Sequence, residues 1–359
     1  MLELDSLTHQ YGTEVAVDDV SFGVEAGELV ALLGPSGCGK TTIVQAIAGH
    51  IQPTGGQIRL RDTAVTNAPP ETRQVSIVFQ QSTLYPHMTV SENVAYGLKP
   101  QAVDQAHRER IVEESLELVD LTDQRGAYPS ELSGGQQRRV ELARAVAPQP
   151  DVLLLDEPLA ALDRTLRERL REEIARIQRE TGVTTLFVTH DQEEAMGLAD
   201  RLVVMDDGAV SAIGTPRQLY ESPTTPFVAS FLGRSNTLPA IVGTHQSLSL
   251  ELGGTEIVLR GSTTERPEGT DVTCYMRPAD LTLHPAAVTE PPTSISLDGE
   301  IARIADLGRR YDVTVRLETG TELVVEHPER PPPVGDAVRV SLPPEKLTVF
   351  DVDSGERLA

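Results

Sequence analysis

Residues Gly34 to Thr41 read Gly-Pro-Ser-Gly-Cys-Gly-Lys-Thr and fit the pattern G-x-x-x-x-G-K-[ST]. The octet follows Leu29–Leu33, an apolar run with the length of a buried strand, and precedes Thr41–Ala48, which reads as a helix. A strand must therefore hand over to a helix through a glycine-rich turn. Such a turn lets backbone N–H groups converge on an anion, and the helix N-terminus adds positive potential. The candidate phosphate-binding set is Gly34, Pro35, Ser36, Gly37, Cys38, Gly39, Lys40, Thr41 and Thr42. Lys40 is placed to hold the β- and γ-phosphates of a nucleoside triphosphate, and the Thr41 hydroxyl to ligate Mg²⁺. Cys38 is expected to act through its backbone N–H, with the thiol a bystander.

A second element carries complementary chemistry. Val152-Leu-Leu-Leu-Asp156-Glu157 is an apolar strand ending in two carboxylates. Beside a phosphate-binding turn, Asp156 would organise a Mg²⁺ shell and Glu157 would polarise an attacking water.

The rest of the chain frames these two elements. Its 359 residues suit two domains, and a hydrophobic content of 39% is ample for packed cores. No stretch approaches the ~18 consecutive apolar residues of a membrane-spanning helix. Met1-Leu-Glu-Leu-Asp5 lacks the pattern of a secretory signal, and two cysteines, Cys38 and Cys274, make no disulfide framework, so a cytoplasmic protein is expected. From Met1 to about residue 235 strands alternate with helices, as in an α/β fold. Glu28–Leu33, Val75–Phe79, Val152–Asp156, Thr184–Thr189 and Arg201–Met205 read as strands. Val103–Leu121 and Arg164–Thr181 carry apolar side chains at helical spacing. Asp191-Gln-Glu-Glu194 has capping-box spacing and should open another helix. After Ser235 the periodicity changes to alternation: Val313, Val315 and Leu317, a turn at Thr319-Gly320-Thr321, then Leu323 and Val325, and again Val338, Val340 and Leu342. Short strands with Gly/Pro punctuation predict a small all-β barrel over 236–359.

Leu132-Ser-Gly-Gly-Gln-Gln-Arg-Arg139 resembles the signature sequence of ABC ATPases. A Ser-Gly-Gly turn opening a helix makes another phosphate-binding helix end. The resemblance covers residues 1 to about 234 and implies the P-loop ATPase fold, with a helical subdomain at about 81–150. It assigns Ser133, Gly134, Gly135 and Gln136 to ATP held by the opposite subunit, so that each active site is composite. It also matches Gln80 to a Mg²⁺-sensing glutamine facing the membrane partner, and Asp163 to a dimer-contacting loop. His190 matches a γ-phosphate switch histidine that acts beside catalytic Glu157 and Lys40, and Tyr11 an adenine-stacking aromatic. Ile213-Gly-Thr-Pro216 through Asn236 resembles the exit from the ATPase domain of importers of the spermidine, iron, sulfate and maltose type. Met276-Arg-Pro-Ala-Asp-Leu281 and Gly299 to Phe350 look like their transport-associated OB-like domain. The implied cofactors are ATP and Mg²⁺. The implied partners are a second ATPase copy, two transmembrane permease subunits and, indirectly, an extracytoplasmic solute-binding protein, with the chain on the cytoplasmic face of the membrane. The exit segment leans toward a polyamine or iron cargo over sugar, sulfate or molybdate. A soluble ABC ATPase of DNA repair or translation is the rival, but there is neither a sustained heptad run nor a second P-loop.

Charge excludes one use of an OB-like barrel. There are 54 acidic and 31 basic residues, a net charge of −23, and only three lysines: Lys40, Lys99 and Lys346. Such a chain repels nucleic acid over most of its surface. Its carboxylates suit a salt-rich cytoplasm, where ions screen their mutual repulsion. The melting temperature is therefore expected to rise as KCl increases from dilute buffer toward molar levels. A flat or falling curve would contradict the salt-adapted reading.

Overall fold

Burial at every position of Leu29–Leu33, Val152–Asp156 and Thr184–Thr189 places all three in the interior of a sheet covered on both faces. In the computed structural model the described residues are 1–98, 104–160, 162–243, 248–252, 255–259, 266–286 and 294–359. Contacts divide the chain into two units, Met1–Pro216 and Arg217–Ala359.

The first unit runs through β1 (Leu2–Tyr11), β2 (Glu14–Val24), β3 (Leu29–Leu33), α1 (Lys40–Ala48), β4 (Gly55–Leu60), β5 (Thr63–Ala64) and β6 (Val75–Val78). It continues through α2 (Val90–Tyr96), α3 (Gln105–Leu118), α4 (Gly134–Val146), β7 (Val152–Asp156), α5 (Arg164–Thr181), β8 (Thr184–Thr189), α6 (Gln192–Leu198), β9 (Arg201–Asp206) and β10 (Ala209–Gly214). The six-stranded sheet has the order β10-β9-β3-β8-β7-β6, parallel except for the β9–β10 edge. β3 and β7 thus flank β8, and their carboxyl ends open on one rim, where ligands bind in parallel α/β sheets. Helices α2, α3 and α4 lie between β6 and β7 in the chain, inside the expected helical segment. Strands β7 and β8 match the sequence reading residue for residue, as does α5, whose Leu170, Ile174 and Ile177 are buried. Helix α3 spans Gln105–Leu118, within the helix expected from Val103, a residue outside the described set.

A second, antiparallel sheet, β2-β1-β4-β5, was not foreseen. Register shifts between Leu4 and Leu7, Leu7 and His9, and His9 and Gln10 break the alternation that would have revealed β1. The sheet shares one apolar core with α1 and the parallel sheet: Leu2, Leu7 and Ile58 join Ile43, Val44, Leu154 and Val188.

The second unit takes in all of α7 (Pro216–Glu221) but its first residue, then α8 (Pro226–Phe231), β11 (Asn236–Val242), β12 (Leu248–Leu252), β13 (Thr255–Leu259), β14 (Asp271–Met276) and β15 (Thr282–Pro285). Strands β16 (Ile295–Asp306), β17 (Tyr311–Leu317), β18 (Glu322–His327), β19 (Ala337–Leu342) and β20 (Thr348–Asp351) follow. Two antiparallel sheets, β13-β12-β11-β14-β20 and β15-β19-β16-β17-β18, bury one common core that includes Leu238, Cys274, Val313, Val325 and Val340. This is the expected all-β, OB-like architecture, with β17 and β18 joined by the foreseen turn, in which Gly320 takes φ 85°. The Asn236 carboxamide extends the ladder between the sheets: Nδ2 donates to Val324 O at 2.8 Å and Oδ1 accepts from Val324 N at 2.7 Å. Arg277, after β14, donates to Tyr220 O and Ala229 O and lies 4.4 Å from the Tyr220 ring centroid. These bonds tie α7 and α8 to the strands, so residue 235, the boundary expected from the sequence, falls inside the second unit.

Candidate functional site

The loop between β3 and α1 adopts the conformation its glycines permit. Gly37 and Gly39 have φ of 88° and 92°, the left-handed region open to glycine. A Cβ on Gly39 would lie 2.3 Å from Ala16 O, so space as well as conformation demands glycine there. Gly39 is the N-cap of α1 and supplies no side-chain acceptor to the first-turn N–H groups. Those groups remain directed at whatever anion the loop holds. Lys40 is buried, and its Nζ donates to Gly34 O at 2.8 Å, Pro35 O at 2.7 Å and Cys38 Sγ at 3.5 Å. The ammonium thus lies across the loop with all three donors engaged. Burial pushes the Cys38 thiol pKa up, against the opposing pull of Lys40. Its N–H bonds to Pro35 O at 3.4 Å. Ser36 and Thr41 are exposed, and Thr42 is buried.

Asp156 ends β7 only 8% exposed. Burial raises its pKa above the ordinary carboxylate value, and the charge of Glu157 adds to the rise; Lys40, a hydrogen bond with the Thr41 side chain, and Arg138 oppose it. Its Oδ1 is buried without a hydrogen-bond partner. An orphaned carboxylate oxygen beside a threonine hydroxyl fits a hard divalent cation. Among the described residues no three His, Cys, Asp or Glu side chains gather for a metal. Further ligands would come from phosphate oxygens and water, the usual arrangement for Mg²⁺.

Glu157 has φ 45°, a strained value for a non-glycine residue. Its N–H donates to Val188 O at 2.9 Å, which fixes the turn against β8. Its Oε2 accepts from Gln80 Nε2 at 3.2 Å, and its Oε1 lies 3.1 Å from His190 Nδ1. An ionised carboxylate only accepts, so Nδ1 carries the proton in that bond. Gln80, Glu157 and His190 follow β6, β7 and β8, three adjacent parallel strands, and their side chains converge.

The remaining sequence candidates stand apart from this cluster. Ser133 N-caps α4 through a reciprocal capping box with Gln136: Gln136 N donates to Ser133 Oγ and Ser133 N to Gln136 Oε1. A Cβ on Gly135 would lie 2.8 Å from Leu166 Cδ1, whereas one on Gly134 would meet nothing within 4 Å. Asp163 N-caps α5 by accepting from Leu166 N. Tyr11, 50% exposed, packs edge-on to His9 with ring centroids 4.6 Å apart. Sequence reasoning missed Arg138 and Glu141, which join α4 to the loops around Gln80 and Glu157; their opposite charges at i,i+3 spacing are in the sequence, but nothing there marks them as buried.

A phosphate-cradling loop, a buried carboxylate and a strained glutamate at the carboxyl ends of parallel strands define a P-loop nucleotide-binding unit. Residues 17–160 match the ABC transporter family and residues 266–350 the TOBE domain. The chain is 44% identical to the "Spermidine/putrescine import ATP-binding protein PotA" of Thermobifida fusca, over 90% of this chain and 85% of the relative. It is 41% identical to the "Sulfate/thiosulfate import ATP-binding protein CysA 2" of Chromobacterium violaceum, over 97% and 95%. Identity to the "Fe(3+) ions import ATP-binding protein FbpC" of Rhizobium etli is also 41%, over 93% and 90%. Among solved structures, the dimeric ATP-binding cassette MJ0796 in a post-hydrolysis state with ADP and Pi superposes with a TM-score of 0.54 at 31% identity. That match covers 60% of this chain and 99% of the other. The chain belongs to the ABC transporter family.

The raised pKa of Asp156 has a consequence for stability. The folded protein binds the Asp156 proton more tightly than the unfolded chain, so stability declines as pH rises from the ordinary carboxylate value through the folded pKa. Asp156→Asn is therefore expected to raise the melting temperature of the metal-free protein at neutral pH, with the gain shrinking as pH falls toward about 4. An unchanged or lower melting temperature at neutral pH would contradict this.

Proposed function

We propose that this chain is the ATP-hydrolysing subunit of a solute importer, working as a dimer beneath two membrane-spanning partners on the cytoplasmic face of the membrane. The observation that carries this reading is the convergence of Gln80, Glu157 and His190 beside the Lys40 loop and Asp156. Lys40 and the loop N–H groups would hold the β- and γ-phosphates of ATP, and Tyr11 would stack on the adenine. Thr41 and Asp156, with Gln80 at hand, would hold Mg²⁺, which when bound neutralises charge on the phosphates. Glu157 would orient the attacking water, aimed by Gln80 on one oxygen and His190 on the other. With Nδ1 turned to Glu157, His190 keeps Nε2 for the γ-phosphate.

Ser133 to Gln136 would serve the ATP of the opposite subunit. Their capping box consumes Ser133 N and Gln136 N but leaves the Gly134 and Gly135 N–H groups at the helix end. Asp163 would sit at the dimer contact. Among the described residues no helix is long and apolar enough to cross a membrane, so the partners would supply the pathway. The cargo proposed is a polyamine or ferric iron, in line with the exit segment and the Thermobifida fusca and Rhizobium etli relatives. Sulfate is the second reading, favoured by the Chromobacterium violaceum relative, whose match spans 97% of the chain. The unit Arg217–Ala359 contributes none of the phosphate- or metal-handling candidates and would brace or regulate the dimer.

The test is co-purification and reconstitution. The tagged chain is expected to recover a multi-span membrane protein, and vesicles carrying the complex should take up solute as ATP is consumed. Lys40→Ala should weaken ATP binding about tenfold or more and stop uptake. A chain that recovers no membrane protein and drives no uptake, or that transports normally with Lys40→Ala, would refute the proposal.

A further inference from the structure

Arg138 and Glu141 lie one turn apart on α4 and form a buried ion pair, with Arg138 Nη1 2.7 Å from Glu141 Oε2. Arg138 is 6% exposed and Glu141 only 1%. A buried pair is held by the hydrogen bonds around it; here Arg138 Nη1 and Nε are spent on two loops, while Nη2 is buried without a partner. Arg138 Nη1 donates to Phe79 O at 2.6 Å, and Nε donates to Pro158 O at 2.9 Å. Phe79 immediately precedes Gln80, and Pro158 immediately follows Glu157. A single rigid guanidinium therefore spaces the backbones of the two residues whose side chains meet at 3.2 Å. Glu141 fixes the far side of the first loop, its Oε1 accepting from Thr83 N at 2.6 Å. Arg144, one turn further, donates to Thr83 O at 2.9 Å.

The helix that makes these contacts begins at Ser133, the start of the signature segment. We infer that Arg138 and Glu141 are positioning residues: through α4 they set the separation of the Gln80 and Glu157 loops and so hold the Glu157 carboxylate on the line of attack. The inference rests on the proposed hydrolytic role of Glu157. Neither residue touches the phosphate loop, and Arg138→Lys keeps the positive charge near Asp156, so the effect read should be on turnover and not on nucleotide affinity. The pair also works as a unit. Glu141→Gln keeps a single acceptor oxygen where Thr83 N and Arg138 now use one carboxylate oxygen each, whereas Glu141→Ala removes both acceptors and leaves the guanidinium charge buried and the loop N–H unpaired. Arg138→Lys keeps the charge opposite Glu141 but loses the fixed fork that spans two carbonyls.

Steady-state ATP hydrolysis by the full chain should separate these effects. For Arg138→Lys and for Glu141→Ala, kcat is expected to fall by about tenfold while KM for ATP stays within about twofold, and Glu141→Gln, with one acceptor left, should fall between Glu141→Ala and wild type. If Glu141→Ala does not fold, Arg138→Lys decides the matter, since it keeps the buried ion pair while removing the guanidinium fork. Folded Arg138→Lys with wild-type kcat, or a loss confined to KM, overturns the inference. Glu157→Gln in the same assay keeps the two readings distinguishable: hydrolysis surviving in that variant refutes the role of Glu157 itself, whatever Arg138 does.

Discussion

The fold holds a carboxylate oxygen, Asp156 Oδ1, buried and without a hydrogen-bond partner at the end of a wholly buried strand. Isolated burial of that kind is strongly unfavourable, and the surroundings moderate it. Lys40 and Arg138 lie close enough to pull the pKa of Asp156 back down, and the Thr41 side chain bonds to it. Those partners come from the first turn of α1, which follows β3 through the glycine-rich loop, and from α4. The order β3-β8-β7 in the parallel sheet is what brings them to one rim. An apolar residue at position 156 would remove the desolvation penalty and also an anionic group close to Lys40. Stability is given up at the point where chemistry needs charge.

From that point the site spreads along the sheet. Gln80, Glu157 and His190 each follow a strand, so their spacing is inherited from the inter-strand distance of β6, β7 and β8. Backbone strain at Glu157, φ 45°, turns its side chain between its two neighbours instead of along the strand direction. Helix α4 then braces the arrangement from the side, with Arg138 on the carbonyls of Phe79 and Pro158. The helix that opens at Ser133 and the loops that carry Gln80 and Glu157 are thereby tied together by hydrogen bonds. In the second unit the same economy appears in Arg277, whose single guanidinium joins the exit helices to the strands.

Where burial follows a simple period, the sequence was sufficient. β7, β8 and α5 begin and end where apolar spacing put them, because a doubly covered strand or an amphipathic helix leaves little choice of partner. Motif residues such as Gly39 were legible for a related reason: left-handed backbone and a close approach to Ala16 O both exclude a side chain. The antiparallel sheet of β1 and β2 was not legible, since its bulges shift the alternation several times in ten residues. The division of the chain at Pro216 was equally hidden, since residues 217–235 belong with the strands that follow, to which Arg277 bonds at residues 220 and 229. Arg138 and Glu141 were invisible as a pair, for on a charged helix face nothing in the sequence says which charges are buried. Long-range polar partners are a property of the packed structure, and periodicity does not encode them.

The central claim is that Glu157 orients the hydrolytic water at a site whose nucleotide-holding parts lie elsewhere, on Lys40, Thr41 and Asp156. The most direct measurement compares ATP affinity by equilibrium titration with the single-turnover hydrolysis rate, for wild type and Glu157→Gln. The account predicts affinity within about twofold of wild type and a rate lower by about a hundredfold or more, the range for loss of a positioned base. A Glu157→Gln protein that hydrolyses bound ATP at close to the wild-type rate would contradict it.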